Sequence, residues 1–342
     1  DSTAKKEVEM KIRPFTGDPQ ECEGYPSPVL WYRERPSHEI NFLLDCDGDG
    51  DDDSDSDSDS DGDGDVKTKK TLACSLIDGT PPKKMNDKAH MNIQEQLSKL
   101  DKSKPIIIVC HGMLSWRNQW FLANMASQLS TELSYHVIRF DFTGNGHSSG
   151  PWVYADYESD YRDLQKVEEF ITSALKLKIG CMIGHSQAVS AIFRHAYEHD
   201  TMDEGYQPAY VNLAGRCFSA DDFDPNVSFH KEQNEELEQK GRFTYAQKGP
   251  RKKFDVTMDA VQKRRNYDVV QYAEGAKYAR ILTIHGDRDQ AVPVENAYKF
   301  DKLCHNHELH IVKYADHNFS GGHCVDEIVH HVSLLVRKHC IV

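Results

Sequence analysis

The chain has 342 residues and a formal net charge of −14, enough length to bury a sizeable core as one large domain or two small ones. No apolar run approaches the length of a membrane span; the longest useful one is Ile106 to Cys110. Residues 45–65 hold 12 Asp and no basic residue, so without that tract the charge of −14 becomes −2, and no nucleic-acid surface is implied.

Nine cysteines (22, 46, 74, 110, 181, 217, 304, 324 and 340) are dispersed with no C-x-x-C pair. An odd, scattered set predicts reduced thiols and a cytoplasmic location. The start shows no signal-peptide pattern and opens on Asp1 rather than Met.

Residues 1–38 are polar, contain proline and show no period. They read as an N-terminal extension to a domain over 39–342. Glu39 to Leu44 and Thr71 to Ile77 read as two strands of a hairpin. Between them the Asp-rich 45–65 insertion continues as a Ser-Asp repeat, self-repelling and without apolar residues, and is expected to be disordered. Loop closure costs only about 0.6 kcal/mol per doubling of length, so a hairpin can carry it.

From Pro105 the pattern is regular. Strands are predicted at 106–109, 135–140, 179–183, 210–213, 281–284 and 309–314. Helices are predicted at 116–133, 157–175, 187–198, 294–303 and 325–338. Short apolar strands alternating with amphipathic helices predict an α/β fold with a mostly parallel sheet and helices on both faces. Residues 216–268 interrupt the alternation and are long enough to form a small cap over an active site.

Three residues at the ends of strands carry the chemistry. Ser186 lies in Gly184-His185-Ser186-Gln187-Ala188, between a predicted strand and a predicted helix. A serine on such a sharp turn is pushed clear of the sheet, at a helix N-terminus. Asp289 lies in His285-Gly286-Asp287-Arg288-Asp289, and His317 in Ala315-Asp316-His317-Asn318-Phe319, each past a strand. Imidazole, with an ordinary pKa of about 6.5, can take a hydroxyl proton and return it near neutral pH. A carboxylate would hold the ring in the right tautomer. Asp287 is a rival acid; Asp221 and Asp222 are weaker ones, and Asp316 is too close in sequence to face the ring. His111-Gly112-Met113 follows the 106–110 strand. The amides of Met113 and Gln187 are the candidate oxyanion donors, each worth about 2.7–4 kcal/mol in acyl transfer. Asp141 to Ser148 is a glycine-containing loop, with His147 assigned to its stabilisation.

With these strings, together with Val109-Cys110-His111-Gly112 and Arg139-Phe140-Asp141-Phe142-Thr143-Gly144-Asn145-Gly146, the chain resembles the α/β-hydrolase superfamily over roughly residues 70–342. Within it, the chain is similar to monoacylglycerol lipases and cinnamoyl (feruloyl) esterases. It departs from the usual G-x-S-x-G string by carrying Ala188 in place of the last glycine. The resemblance implies a doubly covered, mostly parallel sheet and hydrolysis of small to medium carboxylic esters by a Ser-His-Asp triad. It also implies a small-molecule partner and no cofactor. Thioesters and amides stand as alternative substrates. A non-catalytic ligand-binding or scaffold protein on the same fold is the rival reading.

The remaining signals are weaker. Of the 18 histidines, neither the cluster Cys304, His305, His307 and His310 nor the pair His330 and His331 has a spacing that converges four metal ligands, and no metal is expected. Asp45-x-Asp47-x-Asp49-Gly50 begins like a calcium loop, but its twelfth position is Ser56 rather than Glu. Ser54, Ser56, Ser58 and Ser60, embedded in acid, make that tract a candidate for a kinase or protein partner. The basic stretch with Lys248, Arg251, Lys252, Lys253, Lys263, Arg264 and Arg265 reads as a solvated face; steering of anionic substrates is its sharper alternative.

Overall fold

The computed structural model describes residues 12–15, 39–46, 70–80, 91–201, 207–219, 229–246 and 253–339. Most of the acidic tract, its serines, Asp221, Asp222, Lys248, Arg251, Lys252 and the greater part of residues 1–38 lie outside them.

The main sheet contains β1 (Ile12–Pro14), β2 (Glu39–Cys46), β3 (Lys70–Ile77), β4 (Ile106–Cys110), β5 (His136–Phe140), β6 (Ile179–His185), β7 (Ala209–Leu213), β10 (Arg280–Gly286) and β11 (His307–Val312). Their order in space is β1-β2-β3-β5-β4-β6-β7-β10-β11. The six strands from β5 to β11 run parallel, while β1, β2 and β3 pair antiparallel at one end. The expected hairpin is β2–β3, in register from Glu39↔Ile77 to Cys46↔Lys70. The unexpected strand is β1. It has three residues, and Pro14 suits an edge with no further pairing among the described residues, so no period announces it.

Side chains alternate across the central strands. Ile106, Ile108 and Cys110 join one core layer; Ile107 and Val109 join the other. The first layer packs against α3 (Tyr157–Glu169), α4 (Val189–Glu198), α7 (Val269–Gly275) and α8 (Glu295–Leu303). The second packs against α2 (Trp120–Leu133) and α9 (Gly322–His339). A parallel sheet covered on both faces explains why its strands read as continuous apolar runs. Seven cysteines among the described residues are free and buried.

Boundaries differ from the periodic reading where tertiary contacts override it. The helix expected from Trp116 begins at Trp120, because the Arg117 amide is captured by Asp141 Oδ1 at 2.5 Å and its guanidinium pairs with the same carboxylate. The helix expected over 157–175 is capped by Asp156, whose side chain accepts from the Ser159 amide, and its last turn widens to a π-turn at Phe170–Ala174. The strand expected at 309–314 runs two residues earlier and stops before Tyr314, at φ +62°. Two short helices, α1 (Ile93–Ser98) and α7, were not anticipated; six and seven residues are too few for a period to emerge.

Within 216–268 the described residues form α5 (Lys231–Lys240), β8 (Arg242–Ala246), β9 (Lys253–Thr257) and α6 (Met258–Asn266). β8 and β9 make a separate antiparallel sheet. Phe229, Leu237, Phe243, Val256 and Val261 give this segment its own small core, distinct from the two layers of the main sheet.

Candidate active site

The chain order turns back at β4, with β5 on one side and β6 on the other. In open parallel sheets the C-terminal strand ends at such a reversal leave a crevice for a ligand. The β4 end delivers His111-Gly112-Met113, and the β6 end delivers Ser186. The ends of β10 and β11 deliver the loops bearing Asp289 and His317.

Ser186 sits in the left-handed region at φ +55°, which costs a non-glycine residue energy and signals a constrained turn. The chain then enters a 3-10 turn, Ser186–Ala188, and continues directly into α4. Two glycines make room. A Cβ on Gly184 would lie 3.0 Å from backbone atoms of Ala188 and Val189. A Cβ on Gly112 would lie 2.9 Å from the Ser186 Cβ. Ala188 has φ −63° and a fully buried side chain, so the position requires a small residue and not glycine's conformational freedom.

The three side chains meet. His317 Nε2 lies 2.9 Å from Ser186 Oγ, and His317 Nδ1 lies 2.7 Å from Asp289 Oδ2. An ionised carboxylate only accepts, so Nδ1 carries the proton and Nε2 is left to accept from the serine hydroxyl. Asp289 Oδ1 takes the amides of Ala291 and Val292 at 2.9 and 2.8 Å. Burial raises its carboxyl pKa, but hydrogen bonds from His285, His317 and the Val292 amide outweigh that and hold it well below the usual carboxylate range. The rival acids that can be placed face elsewhere. Asp287 Oδ1 accepts from the Tyr314 amide at 2.6 Å, and Asp316 Oδ1 from the Ser320 amide at 2.8 Å.

Several supporting residues were not singled out from the sequence. His185, beside the serine, is buried and its Nε2 donates to the His317 carbonyl at 2.9 Å. Its ring lies 5.0 Å from that of His317 and 4.9 Å from that of Phe121. Burial, then the neighbouring His317, lower its pKa to about 3, so it stays neutral. His285, four residues before Asp289, lies 3.3 Å from Oδ2 and donates to the Val292 carbonyl at 2.8 Å. That spacing, histidine then aspartate across a tight turn, is the one signal a sequence reader had. The Gln187 side chain donates to Asp160 Oδ2 on α3 at 2.7 Å; burial pushes the Asp160 carboxyl up to about 7.

The His111 ring accepts from the Phe142 amide at 3.0 Å through Nε2, so its Nδ1 donates to the Gly112 carbonyl at 2.8 Å. It thereby ties the turn of Gly112 and Met113 to the 141–148 loop. The Met113 amide has no protein acceptor among the described residues. The 141–148 loop is anchored by a fully buried Arg117–Asp141 ion pair, with the His147 amide on Asp141 Oδ2 at 2.9 Å and His147 Nδ1 accepting from Arg117 at 3.0 Å.

A cavity of about 490 Å³ opens over the serine. Ser186, Gln187, Met113 and His317 line it from the main sheet, and Phe229, Tyr245, Phe254 and Arg264 from the 216–268 segment.

Among the described residues the histidines noted in the sequence bring no three ligand atoms together, although the His310 and His331 rings stack at 3.7 Å. His307 is bonded to Asp301 and Thr283, and His310 to Glu327 at 2.9 Å. A different trio, Glu168, His195 and His199, brings one ligand atom each to within 4.8 Å of the others. There His195 already bonds Glu168 Oε1 at 3.1 Å and the Tyr210 hydroxyl at 2.8 Å.

Comparison with known proteins agrees with this architecture. A family model described as the α/β hydrolase fold matches residues 105–199. The uncharacterised Saccharomyces cerevisiae protein YDL057W is 24% identical over 241 residues, 65% of this chain and 71% of that protein. The structure of Est1E from Butyrivibrio proteoclasticus with bound ferulic acid superposes with a TM-score of 0.58 at 17% identity, covering 79% of this chain and 96% of that one. Mouse α/β hydrolase domain-containing protein 10 superposes with a TM-score of 0.56 at 17% identity, covering 79% and 95%. The sheet order, the turn at Ser186 and these likenesses show that the chain has the α/β-hydrolase fold.

Proposed function

We propose that the protein is a serine hydrolase of small to medium carboxylic esters, acting through an acyl-enzyme. The observation that carries this reading is the continuous hydrogen-bonded chain Asp289–His317–Ser186, with the serine at φ +55° beneath a cavity. A buried carboxylate, a singly protonated imidazole and a hydroxyl in that order form a proton-transfer device.

Ser186 Oγ attacks the ester carbonyl while His317 Nε2 takes its proton. Asp289 balances the charge on the imidazolium. The amides of Met113 and Gln187 hold the oxygen of the tetrahedral intermediate. His317 returns the proton to the departing alcohol, leaving the acyl group on Ser186. Water then attacks, its proton passing to His317, and the acid leaves as Oγ is reprotonated. Ferulic acid, the carboxylic acid bound to Est1E, supports acyl-group chemistry, and among its leaving groups an ester is proposed ahead of the thioester and amide alternatives. The 216–268 segment serves as the cap that walls the cavity. The acidic tract is read from its composition as a solubilising insertion, with its serines as candidates for a kinase partner. No helix among the described residues is long and apolar enough to cross a membrane, and the substrate is read as a small molecule.

The test is labelling by a fluorophosphonate probe of the wild type, Ser186→Ala and His317→Ala. The wild type should label and hydrolyse para-nitrophenyl esters, and both variants should lose labelling with at least about 10³-fold loss of turnover. A folded wild type that neither labels nor turns over ester would overturn the hydrolase reading and favour the scaffold one.

A further inference from the structure

A second group of convergent side chains lies outside the crevice, at the end of α4 remote from Ser186. His195 and His199 are four residues apart there, so their side chains share one face. Glu168 comes from the last turn of α3, which packs against α4. One ligand atom from each residue lies within 4.8 Å of the other two. His195 is only 2% exposed, Glu168 is half-buried and His199 is exposed. A buried anchor beside an exposed ring leaves a route by which a hydrated ion enters.

His195 Nε2 lies 3.1 Å from Glu168 Oε1. Two ligands of a tetrahedral zinc with bonds of about 2.0–2.1 Å stand about 3.3 Å apart, so this edge is already near its final length. His195 Nδ1 lies 2.8 Å from the Tyr210 hydroxyl on β7. A phenolic hydroxyl both donates and accepts, so Tyr210 serves either tautomer of the ring. With the proton on Nε2 the ring donates to Glu168; with the proton on Nδ1 it donates to Tyr210, and Nε2 is free to coordinate. A ligating histidine is ordinarily held in this way through its other nitrogen. His199 Nδ1 donates to the His195 carbonyl at 3.0 Å, which leaves the lone pair on Nε2. The two rings stack at 4.0 Å with planes 15° apart, so coordination requires the exposed His199 ring to tilt out of the stack toward Glu168 and His195. From this geometry we propose that Glu168, His195 and His199 form a zinc site, with water as the fourth ligand. Two imidazoles and a carboxylate suit Zn²⁺, whereas Ca²⁺ and Mg²⁺ take oxygen ligands. The ion would tie α3 to α4. The first of these carries the Asp160 that holds the Gln187 side chain, and the second follows directly on the Ser186 turn. The site therefore braces the frame of the crevice without touching the three residues at its centre.

The test is calorimetric titration of the metal-stripped full chain with ZnCl₂ near neutral pH. The wild type is compared with His199→Ala, Glu168→Gln, Tyr210→Phe and His310→Ala. The last is the control, because 18 histidines give a background of weak sites. The wild type should bind one Zn²⁺ above that background, with a rise in Tm that CaCl₂ does not produce. His199→Ala and Glu168→Gln should each weaken that binding by about 100-fold or more, and Tyr210→Phe by about 10–100-fold, while His310→Ala leaves it unchanged. Tyr210 is buried and offers no ligand atom, so its response separates a built site from binding at surface rings. Because His199 is exposed, its replacement keeps the fold, and Co²⁺ in place of Zn²⁺ gives a second reading: visible absorption of a four-coordinate ion, lost in His199→Ala. No stoichiometric ion in the wild type, or an affinity that His199→Ala and Glu168→Gln leave within about threefold, overturns the site. Either result is independent of whether Ser186 labels.

Discussion

At the scale of single residues, the site is a hydrogen-bonded set of polar side chains around one strained serine. His185 is the least expected member. It holds the His317 carbonyl from below, and the apolar surroundings that keep it neutral are the cause of its lowered pKa of about 3. In the unfolded chain the same ring titrates at about 6.5. Between these values the unfolded state binds a proton that the folded state refuses, so stability is fully present above the unfolded value and is lost as pH falls. One unit below about pH 6.5 the loss from this residue should reach about 1.4 kcal/mol. Urea unfolding of the wild type and His185→Gln at about pH 7.5 and pH 5.5 checks it. The wild type should lose that much more than the variant on acidification; parallel losses would mean His185 titrates alike in both states. The serine, the acid and the histidine base were legible because each ends a strand inside a recognisable string. His185 and His285 were not, because a histidine's role depends on what its ring N–H meets, and that partner is distant in sequence or reached across a turn.

At the scale of elements, the turn after β4 and the turn after β6 are built as one unit. Gly112 is required by distance: an added methyl would come within 2.9 Å of the Ser186 Cβ. Gly112→Ala should therefore displace either the Met113 amide or the serine, lowering kcat by about 10²–10³. Its folding cost should be only about 1–3 kcal/mol. Ala188→Gly is the matching control. With φ −63° at that position, glycine should support full labelling at a stability cost of about 1 kcal/mol. Fluorophosphonate labelling rates and thermal unfolding of the two variants separate these outcomes; a fully active Gly112→Ala would remove the Met113 amide from the oxyanion assignment. The departure at Ala188 looked like a weakened motif in the sequence. Only the backbone angle shows that the position asks for small size alone. Conversely, the helix start at Trp120 was misjudged because the apolar spacing begins at Trp116, while the buried Asp141 claims the Arg117 amide first.

At the scale of the whole molecule, the main sheet carries the proposed triad, and the 216–268 segment supplies much of the cavity wall. These parts have separate cores, and the cavity between them takes Ser186 from one and much of its aromatic and cationic lining from the other. The β2–β3 hairpin is one strand removed from the β4–β6 crevice, with β5 between them. Replacing residues 47–69 with an Asn-Gly turn should leave ester turnover unchanged and raise stability by up to about 2 kcal/mol through shorter loop closure. Steady-state kinetics and urea unfolding check it. Loss of turnover on that replacement would tie the acidic tract to the site itself.

The sequence by itself determined the class of fold, because apolar strands and amphipathic helices alternate with periods that only a doubly covered parallel sheet satisfies. It also determined which three residues to bring together, since their strings sit at strand ends in a characteristic order. The tertiary structure decided the rest. Which carboxylate meets the imidazole, which histidines brace the pair, why an alanine is accepted beside the serine and which arginine of a basic run turns inward are all matters of distance between residues far apart in the chain. Local pattern carries the elements because it is set by neighbours three or four residues away. It cannot carry those contacts, because each is settled only when the strands are laid side by side.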